Sequence, residues 1–476
     1  MKEFFVYPNS VNEIGSSKVY MVKEKDADKL VIEGAIGSLF EGKYCECCGR
    51  TIAPLTHKNA DVLRSLFDWT APKPVLRNKR SMGVGDRLGI ACPGHIRVFN
   101  KYDMSPIFAQ QSIRELNLTE RTYEDVLDCV TFSVYREGFK RGFGADGDHL
   151  KTEKDIEYAL GLKFSMITLD CSEHIRGDVA AMSDAAVDAE CYLSEDVKAK
   201  YLGKTFTVED SELTFTEQEL KRIVLIYGGA IKFATYIYDK YIKAICDKVD
   251  FELSIDETAT PTTPLQHFFV AKELTDAGVG LVTVAPRFCG EFQKGIDYIG
   301  DLAQFESELK VHAAIARHFG YKLSIHSGSD KFSTFELIGK YTKGNFHVKT
   351  AGTNWLEAMR AVAAADPKLY REVHKYALSR FEDATKFYHV TTDLTKIPDI
   401  DKMSDDELPT LFTMNDARQL IHITYGFILT DKNEKGEYVF KDRLYKFWRE
   451  NEDVYAAMLE KHIGHHAELL FKGFVG

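Results

Sequence analysis

The feature that most constrains the fold is an alternation of short apolar runs with longer helix-compatible stretches between about residues 82 and 350. Each apolar run ends in polar or Gly-rich residues, which is typical of βα units around a parallel sheet. Eight units over roughly 270 residues predict an α/β fold built on a (β/α)8 TIM-like barrel. The predicted strands are 84–91, 106–111, 141–146, 164–170, 251–257, 281–287, 322–326 and 346–350.

Segments of different character flank the predicted barrel, which extends over residues 81–353. Residues 1–80 alternate short β-branched or aromatic runs with turn residues, which predicts a small β-rich lead-in. Residues 354–476 have helical periodicity with few Gly or Pro, which predicts a helical C-terminal extension. The chain between the fourth and fifth strands is too long for one crossover, so we predict a helical insertion near 175–222 that forms a lid over the site.

Composition and charge exclude several classes of function. The 476 residues include 61 Lys+Arg and 72 Asp+Glu, a formal net charge of −11, so no broad cationic field is available for nucleic acid or an anionic membrane. No apolar run approaches the roughly 20 residues that span a bilayer, and the start of the chain does not have the pattern of a secretory signal. Nine mostly scattered cysteines suit reduced thiols. We therefore predict a cytoplasmic protein with a small-molecule partner and leave its oligomeric state open.

Reactive side chains follow most of the predicted strands, at the end where barrel enzymes carry their active sites. Carboxylates and imidazoles converging on one barrel mouth suit a divalent cation, and Arg or Lys suit an anionic substrate. A single histidine at a strand end is more often a hydrogen-bonded core group than a ligand, but several together favour a site. The candidates are Asp146, Asp148, His149, Asp170, Glu173, His174, Asp256, Glu257, Arg287, Glu291, His326, Asp330, Lys331 and Lys349.

Three cysteines near the N-terminus form a weaker motif. Cys45-x-Cys47-Cys48 resembles half of a thiolate zinc site, but no second CxxC follows at finger spacing. His57 and Cys92 would complete such a site only if the fold brought them close. The role of the three cysteines is left open.

Five segments spread over the predicted barrel resemble the tagaturonate epimerase family. They are SMGVGDRLGIACPGHIRVF, GFGADGDHLKT, SIDETATPTTPLQHFFVAKEL, APRFCGEFQKGIDY and SIHSGSDKFS. The resemblance implies a metal-dependent enzyme of hexuronate catabolism that interconverts tagaturonate and fructuronate without a redox cofactor. A metal that polarises the ketone makes the neighbouring proton removable and stabilises the resulting enediolate. Mn²⁺, Fe²⁺, Co²⁺, Ni²⁺ and Zn²⁺ all tolerate a mixed His and carboxylate site, so the ion is left open.

The resemblance and the placement at strand ends together imply roles for the acid, the base and the metal ligands. Asp148 is predicted as the base and Glu257 as the opposing acid, although the two roles are exchangeable. His149, Glu291 and His326 are predicted to bind the metal and to leave positions open for two substrate oxygens. Glu291 has an alternative as an early-turn helix carboxylate that complements the helix dipole.

The same reasoning predicts residues that bind the substrate. Arg287, Arg87 and Lys331 are candidates for the uronate carboxylate, and Arg287 is favoured because a bidentate fork fixes orientation as well as charge. Asp170 is a reserve candidate with two alternative roles: the base in place of Asp148, or a residue that binds a substrate hydroxyl. It also has the alternatives of a helix N-cap or a partner for a buried cation.

Two other functions are left open by the residues. A metal-dependent aldolase acting on a related keto-sugar uses the same enediolate but releases a carbonyl fragment. A non-catalytic sugar-acid-binding barrel is the alternative from another class, since one fold hosts many functions. Such a protein would be marked by a missing acid, base or ligand, and the predicted set has none missing.

Overall fold

The computed structural model describes residues 5–475, in which eight parallel strands form a closed barrel. Successive strands pair in parallel, and the eighth pairs with the first from Phe346↔Arg80 to Thr350↔Val84, which closes the barrel. The predicted TIM-like barrel is confirmed. Its strands are β1 (Arg80–Val84), β2 (Ser105–Ser112), β3 (Gly144–Leu150), β4 (Met166–Asp170), β5 (Asp250–Ile255), β6 (Thr283–Pro286), β7 (Lys322–Ile325) and β8 (Phe346–Thr350).

The first strand was predicted in the wrong place. β1 ends at Val84, whereas the prediction began there and continued to residue 91. The residues after Val84 form a loop in which Asp86 accepts hydrogen bonds from the amides of Leu88 and Ala91 at 2.9 and 2.7 Å. Leu88 and Ala91 of this loop are buried like strand residues, so hydrophobicity alone does not separate loop from strand. The other seven predictions overlap the observed strands, although β3 extends further than predicted.

Each strand is followed by a helix that packs outside the barrel. Four of these helices begin after a threonine whose side chain accepts a hydrogen bond from the backbone amide three residues later, which satisfies a free helix donor. The helices are Cys92–Lys101, Tyr123–Glu137, Glu153–Gly161, Glu217–Ile237, Pro264–Asp276, Leu302–Phe319, Phe332–Tyr341 and Thr353–Ala365, with a short extra helix, Ile113–Thr119, after β2.

The insertion between β4 and β5 does not form the predicted lid. Its aromatic residue Phe206 packs on Phe268 at 4.9 Å between ring centroids, and Glu209 accepts two hydrogen bonds from Arg317. Arg317 lies in the last turn of its helix, at the barrel face opposite the mouth, because the helices run antiparallel to the strands. Among the described residues that line the mouth, none comes from 175–222. The insertion contains helices Asp184–Glu190 and Glu195–Tyr201 and the hairpin strands Thr205–Val208 and Ser211–Thr214.

An antiparallel sheet precedes the barrel and confirms the predicted β-rich extension. Its core contains Val19 and Met21 together with Phe132 and Tyr135 from a barrel helix. Tyr135 also donates its hydroxyl to the Val19 carbonyl at 2.8 Å, so the sheet is fixed to the barrel by packing and by a buried hydrogen bond. Its strands are Phe5–Val6, Asn12–Ile14, Ser17–Lys23, Asp28–Glu33, Lys43–Cys45 and Arg50–Ala53, followed by helix His57–Leu66.

The C-terminal extension is helical, as predicted, and its last helix touches two barrel helices at glycines. A Cβ atom on Gly94 would lie 2.9 Å from Leu459 Cβ, and one on Gly339 would lie 2.1 Å from the Leu470 carbonyl oxygen. Both contacts are too close for a real side chain, so glycine lets the backbones approach. The extension contains helices Pro367–Ala384, Asn415–Ile423, Tyr425–Thr430, Lys441–Glu450 and Glu452–Val475.

A buried carboxylate ties this extension to the loop after β7. Asp330 Oδ2 accepts a hydrogen bond from Arg418 Nη2 at 2.7 Å, and Oδ1 accepts one from His462 Nε2 at 2.5 Å. The Asp330 amide donates to His466 Nε2 at 3.0 Å. The loop that follows His326 is therefore held in place by helices far along the chain.

The hydropathy of the helices and the state of the cysteines concern the cellular environment of the protein. Between residues 5 and 475, no helix combines the length and apolar content that crossing a membrane requires. All nine cysteines are free thiols. The cytoplasmic location stays a prediction.

The glycine contact generates a prediction about stability. Gly339→Ala should lower the free energy of unfolding by about 1–3 kcal/mol, because the added methyl group must displace the last helix. Gly464→Ala is the matched control, because its Cβ would have no heavy atom within 4 Å. This control should be neutral or stabilising by up to about 1 kcal/mol. Urea unfolding of both variants checks the prediction, which fails if Gly339→Ala is as stable as the control.

Candidate active site

A cavity of about 410 Å³ opens at the carboxyl ends of the barrel strands. Residues 387–389 of the C-terminal extension form part of its wall. Of the residues to which the sequence assigns a role in the site, Asp170 and Lys331 do not line the cavity. Those that do are Arg87, Asp148, His149, Glu257, Arg287, Glu291 and His326.

A buried lysine beneath this cavity binds three carboxylates. Lys349, on β8, places its Nζ 2.7 Å from Asp146 Oδ2, 2.7 Å from Asp148 Oδ1 and 2.9 Å from Glu252 Oε1. It also donates to Thr168 Oγ1 at 2.6 Å. All these side chains point into the barrel because they occupy alternate positions of their strands.

The charges of this cluster determine its protonation. Burial alone would lower the pKa of Lys349, but the three carboxylates raise it well above its ordinary value, so the ammonium stays charged. Burial would raise the pKa of Asp148 and Glu252, but Lys349 and the neighbouring imidazoles hold both well below their usual range. Burial prevails at Asp146 and raises its pKa to about 7. The cluster therefore holds Asp148 and Glu252 as carboxylates.

Two of these carboxylates orient two histidines at the mouth. His149 Nδ1 donates to Asp148 Oδ1 at 2.8 Å, and His326 Nε2 donates to Glu252 Oε1 at 2.8 Å. The opposite ring nitrogens approach Asp256 Oδ1, which lies 3.8 Å from His149 Nε2 and 3.2 Å from His326 Nδ1. One donor atom from each of His149, Asp256 and His326 lies within 4.8 Å of the others. Two imidazoles and a carboxylate, each imidazole backed by a second carboxylate, fit a divalent metal.

Glu291, a predicted ligand, lies outside this group. Its side chain is 45% exposed on the cavity wall, where it accepts a hydrogen bond from Gln293 Nε2 at 2.5 Å and lies 3.7 Å from His389 Nε2. The structure thus brings together two of the three predicted ligands and places Asp256 beside them. The role of Glu291 as a ligand stays a prediction.

A second acidic group adjoins His149. Asp170 Oδ1 accepts a hydrogen bond from the Ser172 amide at 2.8 Å, while Oδ2 is buried without a hydrogen-bond partner in the described chain and lies 3.6 Å from Lys151 Nζ. Glu257 is 40% exposed on the cavity wall and lies 3.9 Å from the same lysine. The predicted acid is therefore open to the cavity, whereas the reserve residue is enclosed behind it.

The three cationic side chains predicted to bind the substrate carboxylate differ in which acceptors their N–H groups already contact. Arg87 is buried, with Nε and Nη2 2.9 and 2.8 Å from Glu115 Oε1 and its guanidinium 3.9 Å from the Tyr425 ring centre. Lys331 Nζ donates to three carbonyl oxygens and does not reach the cavity. Arg287 lines the cavity and donates to the Thr258 carbonyl. Of the three, Arg287 is placed best for a substrate carboxylate.

Comparison with known proteins identifies the family. The chain matches the family model described as tagaturonate epimerase over residues 7–470. It is 42% identical to the tagaturonate/fructuronate epimerase of Thermotoga maritima, over 98% of this chain and 96% of that protein. The chain belongs to the tagaturonate epimerase family. It is therefore a carbohydrate epimerase, an enzyme of the isomerase class, as predicted.

Solved structures agree with this assignment of the epimerase. The glycerol-complexed crystal structure of fructuronate-tagaturonate epimerase UxaE from Cohnella laeviribosi superposes with a TM-score of 0.96 at 51% identity, covering 98% of this chain and 96% of that chain. The native crystal structure of the same enzyme gives a TM-score of 0.96 at 50% identity, covering 98% and 97%. The likeness thus extends over the barrel and both extensions.

Several residues of the epimerase site have no role in the prediction from the sequence. Asp256 and Lys349 were recognised only as residues at strand ends, and Glu252 was not singled out. The signal is the two-residue period of a strand, which places Glu252, Ser254 and Asp256 on one face: His326 contacts both Glu252 and Asp256, and Ser254 donates to Asp256. Lys294, which also lines the cavity and donates to Ser327 Oγ at 3.0 Å, lies in a loop without such a period.

The carboxylate cluster of the epimerase generates a prediction for Lys349. Lys349→Met should lower the free energy of unfolding by about 3–5 kcal/mol, because buried carboxylates lose their counter-charge. The loss should shrink as the pH is lowered, since the carboxylate pKa values rise without the ammonium and protonation then neutralises them. Urea unfolding at several pH values measures both effects. Lys402→Met is the control, because that side chain is 83% exposed, and an equal loss in the control would contradict the role of the cluster.

Proposed function

We propose that this epimerase interconverts tagaturonate and fructuronate by moving the proton on the carbon next to the ketone, through an enediolate, at a site that holds a divalent metal. The observation that carries the proposal is the convergence of His149, Asp256 and His326 beside Asp148 in the mouth cavity. The activities that name its relatives support the same reaction and substrates.

His149 Nε2, His326 Nδ1 and Asp256 Oδ1 are the atoms that would hold the metal. When bound, the metal would polarise the substrate ketone and stabilise negative charge on its oxygen. Asp148 and Glu252 fix the ring orientations, because each accepts a hydrogen bond from the nitrogen opposite the proposed ligand atom. Mn²⁺, Fe²⁺, Co²⁺, Ni²⁺ and Zn²⁺ remain the candidate ions.

Asp148 and Glu257 divide the proton transfers in this proposal. Both line the cavity, from β3 and from the loop after β5. Asp148 Oδ1 is engaged by Lys349 and His149, which keeps the group ionised as a base requires, and no described residue donates to its Oδ2. Glu257 is partly exposed on the cavity wall, so its carboxyl group is accessible to a bound substrate. Asp170 remains the reserve candidate.

The cations on the cavity wall would bind the uronate carboxylate. Arg287 keeps its predicted role, and Lys294 joins it because its half-buried ammonium donates only to Ser327 among the described residues. Burial lowers the pKa of Lys294, and the nearby Arg114 lowers it further. A bound carboxylate would relieve this repulsion between cations, which favours an acidic sugar over a neutral one.

The proton transfers are tested with Asp148→Asn and Glu257→Gln in deuterated water. Each variant should lose at least about 10²-fold in epimerisation rate, as is usual for a positioned acid or base. Asp148→Asn should fail to exchange the proton of the stereoisomer it deprotonates, whereas Glu257→Gln should retain that exchange without inversion. NMR of the substrate measures exchange and inversion together.

Three outcomes would contradict this assignment. Near-normal rates in both variants would remove the pair and make Asp170 the next residue to replace. Recovery of Asp148→Asn by added metal would mean that Asp148 only orients His149. Release of three-carbon products from tagaturonate would contradict the proposed reaction and support the aldolase alternative.

The metal ligands are tested by measuring metal content. Dialysis against a strong chelator should abolish turnover, and added divalent metal should restore it. Asp256→Asn should weaken metal binding by at least the roughly 10- to 100-fold that loss of an outer-shell partner costs. Glu291→Gln is the matched carboxylate control and should keep its metal. The reverse result, with metal lost from Glu291→Gln and kept in Asp256→Asn, would restore the ligand set predicted from the sequence.

A further inference from the structure

A hairpin in the N-terminal sheet carries three thiols at its turn. Its strands, Lys43–Cys45 and Arg50–Ala53, pair in antiparallel fashion. The amides of Cys48 and Gly49 both donate to the Cys45 carbonyl oxygen, at 3.3 and 2.9 Å. Gly49 has φ of 67°, a left-handed conformation that favours glycine. This turn folds the chain back onto Cys45.

The turn brings the three sulfur atoms together at the surface. Sγ of Cys45 and Sγ of Cys47 are 2.9 Å apart, and the three sulfurs of Cys45, Cys47 and Cys48 all lie within 4.8 Å of one another. Cys47 and Cys48 are exposed and Cys45 is partly exposed, so an ion has open access. We propose that these three cysteines form a metal site that binds one thiophilic d¹⁰ cation, with Zn²⁺ as the expected ion.

The ligand chemistry supports this assignment. Cys45 and Cys48 have the two-residue spacing of thiolate zinc sites, and Cys47 adds a third sulfur. Sulfur ligands select Zn²⁺ and Cu⁺ over the hard ions that prefer oxygen. A bound cation also offsets the repulsion that three adjacent thiolates would otherwise exert on one another.

This site is separate from the barrel mouth. Among residues 5–475, the lining of the mouth cavity begins at Arg87, and its donors are imidazoles and carboxylates. Neither His57 nor Cys92 completes the thiol group, because His57 Nδ1 lies 2.9 Å from Asp128 Oδ2 and Cys92 is buried at the start of a barrel helix. The fourth position of a tetrahedral zinc ion would therefore face solvent, open to water or to a ligand from outside the chain.

The test is a Cd²⁺ titration of the full-length protein, stripped of metal and kept reduced with a phosphine. Wild type should develop a thiolate-to-cadmium charge-transfer band that saturates at one ion per chain and is reversed by excess Zn²⁺. The triple variant Cys45→Ser/Cys47→Ser/Cys48→Ser should lack the band, bind one ion fewer and keep full epimerase turnover when loaded with metal. Cys246→Ser, which replaces a thiol outside the group, should behave as wild type.

Results of two kinds would overturn the proposal. The first is a band in the triple variant equal to that of wild type, or no band in wild type with Cd²⁺ in excess. The second concerns Cys47→Ser alone, which should weaken Cd²⁺ binding by at least about tenfold if the third sulfur is a ligand. Unchanged affinity in that variant would reduce the site to a pair of cysteines and contradict the three-thiolate assignment.

Discussion

The interaction on which the active site depends is the contact between the Lys349 ammonium and the carboxylates inside the barrel. A buried carboxylate is costly without a counter-charge, so Asp148 and Glu252 keep their charge because Lys349 lies within 2.7 and 2.9 Å. These two carboxylates in turn accept hydrogen bonds from His149 and His326. One lysine on the last strand thereby fixes two imidazoles from other strands, which is the preorganisation that a metal site requires.

The fold was predictable because its main signal is repeated eight times along the chain. The wrong position predicted for β1 did not change the number of predicted βα units, so the prediction of an eight-stranded barrel was still correct. The site was less predictable, because the sequence shows which residues end a strand but not which way they point. His149 has φ of 55°, which takes it out of the two-residue period and lets it reach the mouth beside Asp148. The regular period at β5, by contrast, was a usable signal for Asp256.

Contacts between distant parts of the chain account for the remaining errors. The long insertion was predicted as a lid from its length, but length does not determine which barrel face a segment packs on. Residues 387–389 of the extension reach the mouth instead. Their position depends on contacts such as the hydrogen bond that the nearby Thr391 amide donates to Gln293 Oε1, 98 residues away in the chain. No local pattern in the sequence encodes such a contact.

The Lys and Arg side chains near the cavity show that residue type alone is a poor predictor of substrate contact. The number of N–H groups that are not already hydrogen-bonded within the protein is a better one. An ammonium has three hydrogens, and Lys331 uses its own on three backbone carbonyls. Arg87 is likewise committed to Glu115 and to a carbonyl. Lys294 donates to Ser327 alone among the described residues, so its remaining hydrogens are available on the cavity wall. An anionic group entering the cavity therefore meets free donors on Lys294 as well as on Arg287. Lys294 is a loop residue whose sequence context gives no sign of such a contact.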